Sequence, residues 1–233
     1  MILLDIFLPK TCFSCKREGF FICPNCRETI EEYNYFICPV CKRRDVQGRL
    51  DQTCREATGL TRFFGAPLPY ANETVRKTIH AFKYQHARDI AEALAQILIE
   101  FLEKNTFGEC LPKNRQRVLL VPVPLSNFRE RERGFNQATE IAKYVSAYYN
   151  IEIAERILTK LKNTEPQADM KNEEGRAANI AGVFSIKNRR AIERKVILLI
   201  DDVYTSGATM KECAKVLRQS GASEVWGITV ARG

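Results

Sequence analysis

No stretch of this sequence approaches the roughly 18 uninterrupted apolar residues that a membrane-spanning helix needs, so no bilayer span is expected. The N-terminal MILLDIFLP lacks a basic leader, carries Asp5 and meets Pro9 before any small-residue cleavage site. It reads as a docking strand or short helix rather than a secretory signal, and the expected compartment is the cytoplasm. The lysine-containing nucleotide loop G-x-x-x-x-G-K-[ST] is missing, and so is the three-glycine dinucleotide fingerprint. Two common phosphate-binding classes are thereby excluded. Low-complexity tracts and whole-domain repeats are absent too. Histidine is scarce, and His80 and His86 have no cysteine near them in sequence, so surface or packing roles are expected of both.

What the chain does have is cysteine, concentrated at one end. At 233 residues and 45% hydrophobic content it can bury one solid core plus a small satellite module. Of nine cysteines, seven fall before residue 55, and six of these form three C-x-x-C pairs. Without an export signal, that clustering favours metal over disulfides. Cys12, Cys15, Cys23 and Cys26 supply two tight turns with two thiolates each, enough to complete tetrahedral zinc. Cys38 and Cys41 are followed only by Cys54. Closed four-ligand zinc leaves no catalytic position, so these sites read as structural, folding a module too small to own a core. Residues 1–62 are expected to form this cysteine-rich zinc-finger module, and 63–233 a second domain.

From residue 63 the pattern changes. Apolar spacing predicts amphipathic helices over 73–83 (Ile79, Phe82) and 86–104 (Ile90, Leu94, Ile97, Leu98, Phe101). Residues 105–115, with Gly108 and Pro112, read as a loop holding Cys110 as a bystander. A buried strand is expected over 117–123, a helix over 134–149, a polar loop over 161–180 and a strand over 182–186. Residues 195–200 read as a strong strand, 208–219 as a helix with Cys213 on its core face, and 224–230 as the next strand. Strands alternating with helices predict an α/β fold, a mainly parallel sheet flanked by helices.

The most informative stretch is VILLIDDVYTSGAT (196–209). Parallel sheets bind ligands beyond the carboxyl ends of their strands, and Asp201 is the first residue past the expected strand. The turn that follows leads into a helix start, where backbone N–H groups and the partial positive charge can cradle a phosphate. Gly207 permits close approach, and Thr205, Ser206 and Thr209 can donate hydroxyl hydrogen bonds. Two carboxylates beside a phosphate nest are electrostatically odd if phosphate is the whole ligand. The conflict resolves if the acids face a sugar diol or a magnesium ion and the amides face a sugar 5-phosphate. An aspartate-nucleophile phosphatase would want a second acid two residues after the first, where Val203 stands. The stretch resembles the phosphoribosyl pyrophosphate (PRPP) motif of type I phosphoribosyltransferases. The resemblance implies that Asp201 and Asp202 hold the ribose hydroxyls. It also implies that Tyr204, Thr205, Ser206, Gly207, Ala208 and Thr209 bind the 5-phosphate.

Two further segments fit that scheme. VPVPLSNFRERERGFNQA (121–138) follows another buried strand, with Pro122 and Pro124 as candidates for a cis bond. Arg129, Arg131 and Arg133 offer forked donors to a pyrophosphate leaving group. Taken alone, their alternation with Glu130 and Glu132 reads equally as a solvated charge run. TEPQADMKNEEGRAAN (164–179) is either a surface loop or a lid that keeps water from an oxocarbenium-like transition state, with Lys171 and Arg176 covering the pyrophosphate.

Together VPVPLS, RGFNQA, T-x-x-Q-x(8)-R-x-x-N and IDDVYTSGAT resemble the ComF family, in order and over nearly the whole chain. The resemblance implies a phosphoribosyltransferase domain with an N-terminal zinc finger, associated with natural competence. It places a fourth cysteine-type pair at 51–54, so Cys38, Cys41, Asp51 and Cys54 are expected to form a second zinc site. Cross-bracing between the pairs is also compatible with the spacing. If both zinc sites fill, the formal charge of +8 falls to about +5, still compatible with phosphate-bearing ligands or nucleic acid. The resemblance further implies PRPP with Mg2+, pyrophosphate displacement with Arg133 and Arg176 at the leaving group, and single-stranded DNA and the competence helicase machinery as partners. A non-catalytic, PRPP-regulated single-stranded DNA-binding factor is the alternative. The matching Lys83–Tyr84 pair has no assigned role.

Overall fold

Period-two burial organises the central strands. In the computed structural model, which describes residues 10–83, 87–161 and 182–233, Val196, Leu198 and Ile200 face one apolar cluster and Ile197 and Leu199 the other. A strand buried on both faces must be apolar at every position, which is why VILLI reads as a continuous run.

In chain order the elements are helices α1 (Pro24–Glu28) and α2 (Gln52–Thr58), and two-residue strands β1 (Arg62–Phe63) and β2 (Leu68–Pro69). Helices α3 (Glu73–Phe82), α4 (Ala87–Lys104) and α5 (Phe107–Cys110) precede strand β3 (Val118–Pro122). Helices α6 (Asn127–Arg133) and α7 (Gln137–Tyr149) lead to strands β4 (Glu152–Ile153), β5 (Leu158–Lys160), β6 (Phe184–Ile186) and β7 (Val196–Tyr204). Helix α8 (Ala208–Gln219) and strand β8 (Glu224–Arg232) close the chain. The main sheet runs β1-β8-β7-β3-β4, with β2 also on β8, and every pairing in it is parallel. Residues of α3, α4 and α7 cover one face, and those of α8 with Leu50 and Cys54 the other. The α/β fold expected from the sequence is therefore present. β5 and β6 form a separate antiparallel pair.

Several expectations change in detail. β7 does not stop at Ile200 but runs to Tyr204, because Asp201 pairs with Thr229 and Tyr204 with Arg232 on β8. Asp201 is thus inside the strand. The charge run 127–133 is a two-turn helix, capped by Ser126, whose hydroxyl accepts from Arg129 N–H, and ended by Gly134. Within 105–115 a short helix forms because Phe107 is wholly buried against Phe64 and Tyr149. Cys110 packs on that core rather than standing by. Both Pro122 and Pro124 follow trans peptide bonds. Across the expected 62/63 division, Phe21, Ile30 and Phe36 share a core with Phe64 and Phe101. The N-terminal docking segment, Tyr84, His86, Lys171 and Arg176 lie outside the described residues.

Candidate active site and metal centres

The carboxyl edge of β7 delivers Asp201 and Asp202. The Asp201 carboxylate accepts the Asp202 backbone N–H at 2.9 Å. Burial, and then the neighbouring Asp202 charge, push the Asp201 carboxyl well above the usual carboxylate range. The Asp202 N–H bond and the Lys83 ammonium act in the opposite direction.

Past β7 the chain turns through Thr205 and Ser206 to Gly207, the N-cap of α8, at φ 74°. No side chain caps this helix from the N-cap position; the Ser206 hydroxyl accepts only the Ala208 N–H, at 3.4 Å. Tyr204 turns inward instead of toward solvent. Its ring packs on Phe63 with centroids 5.0 Å apart, and burial pushes its hydroxyl up to about 12. A Cβ on Gly207 would stand 2.1 Å from that hydroxyl oxygen and 2.4 Å from Cζ. Glycine is therefore required twice here, once by φ and once by space.

Arg133, at the end of α6, donates from Nη1 to Gln137 Oε1 at 3.0 Å. That bond ties the end of α6 to the first turn of α7. The start of α7 is tied to the exit of β3 by Asn136, whose side-chain amide donates to the Val123 carbonyl at 2.9 Å. Phe135 packs at a tilt against Phe82, joining this segment to the end of α3 and so to Lys83.

Among the described residues, Lys83 and Lys160 both act on Asp201. Lys160 ends β5, where an isolated parallel bridge joins it to Ser126. Burial, and then the Arg129 charge, pull its ammonium below the ordinary lysine range. Sequence reasoning assigned Lys83 no role and missed Lys160 altogether. Neither periodicity nor motif spacing brings residues 83, 160 and 201 to one place; only the crossover topology does.

The thiols form two groups, Cys12, Cys15, Cys23 and Cys26, and Cys38, Cys41 and Cys54, each with sulfurs within 4.8 Å of one another. The grouping is sequential, not cross-braced. All nine cysteines are free. Cys15 and Cys23 sulfurs are 3.6 Å apart, close to the ~3.8 Å edge of a tetrahedron with Zn–S bonds of about 2.3 Å. The donors fit zinc. Each group is built from one turn and one short helix. The Cys12–Cys15 and Cys38–Cys41 turns both close with an N–H from a left-handed lysine, Lys16 or Lys42, to the first cysteine's carbonyl. The second pair of each group starts a helix, with Cys23 as the N-cap of α1 and Asp51 as the N-cap of α2. Asp51 is not within the 4.8 Å donor set of the second group.

The chain is similar to several known proteins. The chain is 31% identical over 228 residues to competence protein ComFC of Bacillus subtilis, covering 96% of this chain and 84% of that one. It is 32% identical over 158 residues to competence protein F of Haemophilus influenzae, 66% of each chain. It is 29% identical over 152 residues to the DNA utilization protein YhgH of Escherichia coli, of which it spans 63%. No family model matches. Among solved structures, glutamine PRPP amidotransferase from B. subtilis has a TM-score of 0.36 and 14% identity over 64% of this chain and 30% of that one. Among the described residues no helix is long and apolar enough to cross a membrane.

Proposed function

Because the chain belongs to the ComF family, we propose that it is a competence-linked, phosphoribosyltransferase-like protein that binds PRPP with magnesium. It transfers the ribosyl group by displacing pyrophosphate at the anomeric carbon. The observation that carries this reading is the sequence of groups at one sheet edge. Two adjacent half-buried aspartates stand near the end of β7, before Tyr204, and a left-handed Gly207 opens a helix that no N-cap side chain closes.

In this reading Asp201 and Asp202 accept hydrogen bonds from the ribose hydroxyls. The turn 204–209 presents its backbone N–H groups and the hydroxyls of Thr205, Ser206 and Thr209 to the 5-phosphate. Tyr204 holds the turn from beneath, and Gly207 keeps its surface open. Magnesium, when bound, supplies charge neutralisation at diphosphate oxygens. Arg133 and Arg176 hold the leaving group. Isothermal titration in magnesium buffer is expected to show PRPP binding that is lost in Asp201→Asn/Asp202→Asn. A double variant that binds PRPP as tightly as the parent removes this assignment.

A second reading, a DNA-binding competence factor without turnover, is favoured by the exposed cations Lys42, Arg43, Arg44, Arg189, Arg190 and Arg194. Binding of labelled single-stranded DNA should then weaken steeply with salt. No binding at low salt eliminates it.

A further inference from the structure

The second cysteine group is not a copy of the first. Both place a helix N-cap where a ligand is expected, but the two caps spend their side chains differently. Cys23 makes no side-chain capping bond, so its sulfur stays with the other three thiols. The Asp51 carboxylate caps α2, meets Arg43 and accepts a hydrogen bond from the Cys54 thiol, so it touches one thiol of the group without joining the donor set. Oδ1 accepts the Cys54 N–H at 2.9 Å, and Oδ2 accepts Arg43 Nη2 at 3.3 Å. The donor set beside it stops at the three thiols.

A cleft of about 280 Å³ opens at Cys38 and Cys41, with Arg43, Arg44, Arg49 and Arg55 also in its wall; Cys54 lies buried behind it. The two carboxylates that also line it, Asp45 and Asp51, are already engaged. Asp45 Oδ1 accepts the N–H groups of Gln47 and Arg49 at 2.8 and 3.0 Å. Of the guanidinium groups, Arg55 donates from Nε to the Leu50 carbonyl, and Arg44 lies over the Tyr35 ring at 4.3 Å. Among the described residues, nothing pairs the Arg49 guanidinium with a carboxylate.

Zinc takes four ligands, and three thiolates leave one position for an external donor, as in zinc sites that are not purely structural. The metal with three thiolates carries one negative charge. Four guanidinium groups against two carboxylates more than offset it, so the cleft favours an anion. Planar guanidinium forks match phosphate oxygens in particular.

We propose that Cys38, Cys41 and Cys54 hold zinc with an open fourth position, which is filled by an oxygen of a phosphate-bearing anion gripped in the cleft by Arg44 and Arg49. Binding is a ligand exchange: one zinc–oxygen bond to phosphate forms as one to water breaks, with no change of oxidation state. The proposal stands independently of the phosphoribosyl site on β7.

Cobalt substituted for zinc in the full chain tests it, because the visible absorption of Co2+ reports its donor set. Inorganic phosphate at constant ionic strength, and separately a 5′-phosphorylated single-stranded oligonucleotide, are titrated in. The expected result is a spectral change at the three-thiolate ion only, with the four-thiolate ion as internal reference. Response to inorganic phosphate identifies a free anion, and response to the oligonucleotide alone identifies nucleic acid. Arg44→Gln and Arg49→Gln are each expected to raise the half-saturating concentration at least roughly tenfold, the loss of one charge-assisted hydrogen bond. Asp51→Asn should leave the response in place. A spectrum insensitive to both probes overturns the proposal, and so does one in which Asp51→Asn itself changes the donor set. X-ray absorption at the zinc edge of the unmutated chain separates the same outcomes without a variant: a phosphate shell that appears on titration supports the open position, and an unchanged shell overturns it.

Discussion

Gly207 and Gly134 make a matched pair of perturbations. Their φ angles are 74° and 77°, so alanine at either meets the same left-handed strain, about 1–2 kcal/mol. Their surroundings differ completely. A Cβ at Gly134 meets nothing within 4 Å, whereas at Gly207 it meets the Tyr204 hydroxyl at 2.1 Å and Cζ at 2.4 Å. Relief requires displacing a buried ring packed on Phe63, an overpacking cost of roughly 1–3 kcal/mol. Gly134→Ala should therefore lose about 1–2 kcal/mol and Gly207→Ala roughly 2–5 kcal/mol. At this chain length the second loss corresponds to a melting-temperature drop on the order of 4–20 °C. Calorimetry and urea unfolding read both variants. Tyr204→Phe in the Gly207→Ala background recovers only part of the loss, since Cζ remains in the way. Equal losses at the two glycines would refute the claim that Tyr204 supports the turn from below.

Two other perturbations follow from the electrostatics and the metal groups. Asp201 holds its proton to a higher pH in the folded chain than in the unfolded one, where a carboxyl titrates near ~3.9. Between those two values the folded state binds the extra proton, so stability falls as pH rises through that window. Asp201→Asn keeps an oxygen for the Asp202 N–H and should remove this slope in a urea series from roughly pH 4 to pH 8; parallel curves for parent and variant count against it. If the thiol groups hold zinc, chelating it should lower the melting temperature of the whole chain in a single transition, because Phe36 and Phe64 share one core and Cys38 and Tyr204 the other. A separate early transition, with the remainder unchanged, would show instead that the cysteine module melts alone.

What the sequence could reveal depended on the distance over which each feature is decided. The helices α3, α4 and α8 carry their own periodicity, the strands β7 and β8 are continuous apolar runs, and the Asp201–Thr209 stretch is contiguous. Helix α6 was hidden because alternating Glu and Arg erase the apolar period, although Ser126 before it and Gly134 after it are its start and stop signals. The two-residue strands β1 and β2 have no pattern of their own and exist only because β8 offers partners 163 or more positions away. Asp51 shows a different limit. An aspartate three residues before a helical cysteine is a good N-cap and a credible zinc ligand, and the sequence is identical for both.

The cations around Asp201 bear on what the site can take. Lys83 and Lys160 both act on that carboxyl, yet burial and Asp202 still hold it above its ordinary range. Burial thus leaves the Asp201 carboxylate under-compensated by the cations around it. A bare phosphate would deepen that imbalance by bringing more negative charge to the same edge. A ligand that presents hydroxyl donors or a divalent cation to the acids, and a phosphate to the Gly207 turn one loop away, relieves it on both sides. A sugar phosphate with magnesium has that distribution of charge. On the proposed assignment, the acids would thus disfavour simple anions, which is a reason to find paired acids beside a phosphate turn.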